Sequence, residues 1–116
     1  MNDAVTDTPK LSGEHPTVAL DDLVHQRTRL GILAVLAEAG RCDFAYLRQT
    51  LDLTDGNLSR HLQTLTHAQL ITLDKVFDNR RPRTWIEITR TGRAALDREL
   101  QAMRELLSRV ERDSFE

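Results

Sequence analysis

The chain has 116 residues, 40% of them hydrophobic and 29% charged, which suits one folding unit with one modest core. No run of about 18 apolar residues is present, and the first residues hold acids and prolines where an export signal needs a basic start and an apolar stretch, so membrane-spanning and secreted classes are set aside. The net charge of −2 conceals a segregation: Asn57 to Arg93 carries seven Lys and Arg against three Asp and Glu, while Met1 to Asp22 carries five acids and one lysine.

Residues 1–19 combine low hydrophobicity with Pro9, Gly13 and Pro16, and are expected to form a flexible tail. From Leu20, the residues Leu23, Val24, Leu30, Leu33, Ala34 and Ala37 recur at helical spacing, and Gly40 supplies a left-handed stop. Asp43 is placed to cap a second, short helix that turns Phe44, Leu47 and Leu51 inward. Asp52 to Thr54 then interrupt the pattern as a tight turn. Thr54 caps a third helix, in which Leu58, Leu62 and Leu65 form one buried stripe. At about 100° per residue, Gly56, Arg60, Gln63, Thr64 and His67 point away from that stripe.

After Leu70 the composition turns β-branched and aromatic: ITLDKVF, a polar tip DNRRPR, then TWIEIT, the pattern of a β-hairpin. Pro82 is assigned to the tip, because a central strand position would lose a ladder hydrogen bond. Thr91 offers the cap of a long last helix, whose Leu96, Leu100, Met103, Leu107 and Val110 alternate 4, 3, 4, 3 as in the seam of a coiled coil. Such a seam predicts a homodimer.

The expected fold is mainly α (α+β). It is a winged helix-turn-helix over residues 20–90, a dimerisation helix over 91–112 and a tail over 113–116. A helix fits the major groove of B-DNA, where base edges display a distinguishable pattern of donors and acceptors. Arg60 can fork onto guanine and Gln63 can pair with adenine, while Asn57, Ser59 and Thr64 can reach bases or phosphates. Asn79, Arg80, Arg81 and Arg83 cluster at the hairpin tip, where three guanidinium groups within four residues suit an anionic partner.

DGNLSRHLQTLTHAQLI, followed by RRPRTWIEITRTGRAAL, resembles the MarR/ArsR-type winged-helix regulators, over roughly Leu20 to Val110. The resemblance implies that Asn57, Ser59, Arg60, His61 and Gln63 face DNA and that the wing arginines grip its backbone; it is what adds His61 to the candidates. The expected partner is double-stranded DNA, bound as a roughly palindromic operator by a repressor in the cytoplasm. The sequence departs from metal-sensing members, having no Cys-x-Cys pair, and is shorter than typical MarR proteins, which leaves little room for an effector pocket.

His15, His25, His61 and His67 do not share a ligand spacing with Cys42, so neither metal nor cofactor is expected. Cys42 is the chain's single cysteine, read as a small buried residue in a reducing compartment. No nucleophile-and-base pair, phosphate-cradling loop or paired carboxylates point to an enzyme. Two other readings stay open at the level of sequence. One is a winged helix that docks an acidic protein through Arg80, Arg81 and Arg83; the other is a ligand- or redox-gated sensor of the same fold.

Overall fold

A computed structural model describes residues 15–114. Most of the two expected tails lies outside that range. Pro16–Ala19, assigned to the first tail from the sequence, form a 3-10 turn with Pro16 buried, and this turn packs on the last helix.

The first helix, α1, is Arg27–Ala39; the Gln26 side chain accepts from the Arg29 N–H at its start, and Gly40, at φ 83°, ends it. A short strand not anticipated from the sequence, β1 (Arg41–Asp43), follows immediately. Helix α2 is Phe44–Thr50, capped by Asp43, whose carboxylate accepts from the Tyr46 N–H. Helix α3 is Asp55–His67, capped by the Thr54 hydroxyl. Leu47, Leu58, Leu62 and Leu65 are buried, so the inward stripes are those that the spacing predicts.

Strands β2 (Ile71–Asp78) and β3 (Arg81–Ile88) form the hairpin, and the antiparallel sheet runs in the order β1-β3-β2. Pro82 is inside β3, opposite Phe77, rather than in the turn. Two features of the ladder tolerate it. β1 pairs only with Trp85, Ile86 and Glu87, so the outer half of β3 has a neighbour on one side alone. In a two-residue hairpin the pair beside the loop, here Asp78 and Arg81, exchanges hydrogen bonds and the next pair does not, so the Pro82 nitrogen faces away from β2.

The last helix, α4, is Arg90–Ser114. Its cap is Thr89, two residues before the one expected: the Thr89 hydroxyl accepts from the Gly92 N–H at 2.9 Å and donates to the Gln69 carbonyl at 2.8 Å. A Cβ on Gly92 would lie 2.0 Å from the Leu70 carbonyl oxygen, so only glycine permits α4 to leave the sheet this closely.

One core joins Val24, the inner faces of α1, α2 and α3, Ile71 and Ile86 of the hairpin, and Ala95 and Leu96 of α4. Beyond that core α4 runs on, and the described residues extend 65 Å along their longest axis against 34 and 25 Å across.

Candidate nucleic-acid interface

Because Leu58, Leu62 and Leu65 are drawn inward, the helical period turns Asn57, Ser59, Arg60 and Gln63 outward, and all four are exposed on α3. The Arg60 Nη2 donates to Asn57 Oδ1 at 2.8 Å, which ties the guanidinium to the preceding turn on the exposed face. Thr64 is half-buried, and its hydroxyl donates back to the Arg60 carbonyl. It thus sits at the edge of this face and steadies the turn that carries Arg60.

His61 lies elsewhere. It is half-buried, and its Nδ1 is 3.2 Å from Nη1 of Arg29 on α1, whose Nε donates to the Leu23 carbonyl at 2.6 Å. An arginine offers donors only, so His61 Nδ1 accepts and the ring is neutral with its proton on Nε2. Burial pushes the imidazole below its usual range, and the Arg29 and Arg60 charges push in the same direction. His61 therefore joins α3 to α1, a role without a signature in the sequence because Arg29 is 32 residues away.

The wing turn consists of Asn79 and Arg80, with φ of 53° and 68°. Two successive left-handed residues define the turn that matches the twist of paired strands, and glycine is the usual second member. Arg80 holds that position at a cost of roughly 1 kcal/mol. Asn79, Arg80 and Arg81 are exposed, and among the described residues Arg80 and Arg81 have no ion pair.

Arg83, expected to share the grip on an anion, is engaged within the protein. Its Nε and Nη2 each lie 3.0 Å from Asp43 Oδ2, and its Nη1 lies 2.9 Å from Asp78 Oδ2. The guanidinium also stacks 4.5 Å from the centre of the Trp85 ring, and Arg41 stacks at 4.4 Å. The Tyr46 N–H and the Arg83 charge hold the Asp43 carboxyl below the usual carboxylate range, against the opposing effect of burial. Asp43 itself is legible in the sequence as a helix cap. Its bond to Arg83, 40 residues distant, is not.

The five seam residues of α4 divide. Leu96 is 2% exposed in the chain's own core and Leu100 packs against that core. Met103 is half-buried, whereas Leu107 and Val110 are exposed on the projecting half of the helix. Cys42, in the middle of β1, is buried, and burial and the neighbouring Asp43 push its thiol up, opposite to the shift that makes a thiol reactive. Among the described residues no three His, Cys, Asp or Glu gather as metal ligands would. No described helix is long and apolar enough to cross a membrane.

An exposed polar helix after a tight turn, flanked by a hairpin tipped with exposed arginines, is the arrangement of a winged helix, and residues 28–107 match the family of winged helix DNA-binding domains. The chain belongs to that family. This winged-helix domain is 36% identical over 83 residues to an uncharacterized protein of Methanocaldococcus jannaschii, covering 72% of this chain and 90% of that one. It is 31% identical to a transcriptional regulator homologue from Pyrococcus horikoshii OT3, with a TM-score of 0.73, over 78% of this chain and 89% of that structure. The M. tuberculosis regulator MosR, solved in complex with DNA, shares the fold at 24% identity and a TM-score of 0.65, over 82% and 68% of the two chains. A MarR-family regulator from Silicibacter pomeroyi does so at 23% and 0.61, over 87% and 72%. This winged-helix domain thus has the fold of DNA-binding transcription regulators, and its family is one of DNA-binding domains.

Proposed function

We propose that the chain is a sequence-specific repressor that binds a roughly palindromic operator as a homodimer. The observation that carries this reading is the exposed, polar face of α3, bearing Asn57, Ser59, Arg60 and Gln63, beside a wing whose Arg80 and Arg81 are not engaged by any carboxylate among the described residues. α3 enters the major groove, where Arg60 and Gln63 read base edges; Arg80 and Arg81 meet the backbone or the adjacent minor groove. Arg83 and His61 contribute by holding these elements in place.

Two copies join through the projecting half of α4, with Met103, Leu107 and Val110 as the seam, while Leu96 and Leu100 serve the core of each copy. A two-fold dimer sets its recognition helices about 34–36 Å apart, one turn of DNA, which requires inverted half-sites. Occupying such a site excludes other proteins from it, the simplest route to repression.

Selection of bound duplexes from a random pool tests the reading. Enrichment of an inverted repeat, with affinity falling steeply as salt rises, is the expected result. Binding that shows neither enrichment nor salt dependence would refute it.

A further inference from the structure

Arg83 is exposed, yet it is the one wing arginine of the candidate set whose charge is met by carboxylates of the described chain. Its fork reaches Asp43 with two nitrogens and Asp78 with a third, and its plane covers Trp85. Two carboxylates around one guanidinium leave this spot without a surplus of positive charge, and they repel a phosphate. Asp43 has a second duty, since its other oxygen caps α2 by accepting the Tyr46 N–H at 2.8 Å. The same side chain therefore fixes the start of the helix-turn-helix and the middle of the wing.

The position of this cluster on the ladder gives it a mechanical role. β1 ends at Asp43, paired with Trp85; beyond that pair the wing is a two-stranded ribbon, and Val76 with Arg83 is the next but one pair outward. An isolated two-stranded ribbon is marginally stable in water, and its angle to the domain is weakly set by the ladder alone. The Asp43 to Arg83 bond spans the point where the third strand stops.

We propose that Asp43, Arg83 and Asp78 form a tether that sets the angle of the wing to the recognition helix, making Arg83 a positioning residue that places Arg80 and Arg81 on DNA without touching it. This rests on the reading of α3 and the wing as the DNA-binding surface. It assigns the three arginines of the wing to two different tasks.

Two conservative variants separate the tether from a direct phosphate contact. Asp43→Asn keeps an acceptor that caps α2 and removes the charge that holds Arg83. Arg83→Lys keeps the cation and removes the fork. A phosphate-binding Arg83 predicts that Asp43→Asn tightens DNA binding and that Arg83→Lys changes it little. The tether predicts that each weakens binding to the selected duplex by about tenfold, and that the double variant is no weaker than the weaker single one, as for coupled residues in contact.

The free protein supplies an independent readout. Trp85 is the chain's single tryptophan. Both variants are expected to raise its quenching by acrylamide and to speed hydrogen exchange of the wing amides between Val76 and Arg83. Unchanged quenching and exchange would overturn the tether while leaving the DNA-binding reading intact. A wild type that binds no duplex at all would overturn that reading, and the tether's effect on DNA with it; Arg81→Ala, which weakens binding without altering Trp85 quenching, marks the case in which both stand.

Discussion

The carboxylate of Glu99 and the imidazole of His25 meet on the inner face of α4, 74 residues apart in sequence, through Glu99 Oε2 and His25 Nδ1. Glu99 is 1% exposed, the one charged residue among the buried described positions, and its other oxygen accepts the Asp21 N–H at 2.9 Å. Both carboxylate oxygens are satisfied, so the pair and the N–H staple the segment before α1 to the last helix. Glu99→Ala removes the buried carboxylate that both the Asp21 N–H and His25 meet, and is expected to destabilise the fold by about 2 kcal/mol in urea unfolding. A loss under about 0.5 kcal/mol, the level of an ordinary surface substitution, would show that the staple contributes nothing.

Arg80 occupies a left-handed turn position where glycine is at ease. Arg80→Gly is expected to raise stability by about 0.5 kcal/mol through relief of that strain, while weakening DNA binding and reducing its salt slope by about one. Opposite movements in one variant are the signature of strain kept for function. A variant that lost stability and kept its affinity would contradict it.

His61 makes stability depend on pH. Its folded-state value is pushed down by burial and by Arg29 and Arg60, so below the unfolded-state value of about 6.5 the unfolded chain binds the extra proton first. The neutral ring's contribution is present above that pH and is lost as pH falls toward the folded-state value. Urea unfolding at two pH values, one on each side of about 6.5, is expected to show a larger loss for the wild type than for His61→Asn, which keeps an acceptor near Nδ1 and does not titrate. Equal losses would show that His61 does not set this dependence.

The local rules of the chain were legible where one element decides the outcome. The Leu58, Leu62 and Leu65 stripe, the Asp43 and Thr54 caps and the Gly40 stop each follow from spacing and residue type alone. β1 was not legible, because three residues hold too little of a period to separate strand from loop. The seam of α4 misleads for a different reason: a 4, 3 stripe has the same spacing whether its own core or a second copy covers it, and Leu96 is taken by the core. His61, Glu99 and the bond of Arg83 to Asp43 depend on partners at least 32 residues away, which composition and periodicity cannot pair.

Leu107 is exposed on the projecting half of α4 and is assigned to the seam between copies. Leu107→Asp is expected to give monomers in sedimentation equilibrium, with operator binding weakened by about a hundredfold or more once the two half-sites are no longer read together. Helix content is unchanged, since the residue lies outside the core. A wild type that sediments as a monomer would contradict the dimer.

Whether α3 reads base edges is measured by the affinity of the wild type and of Arg60→Ala for every single-base variant of the selected duplex. Arg60→Ala is expected to flatten the preference at one base pair in each half-site, by about 1–3 kcal/mol, and to leave the other positions as they were. Equal weakening on all sequences would make Arg60 a backbone contact, and no change on any would take α3 out of the groove.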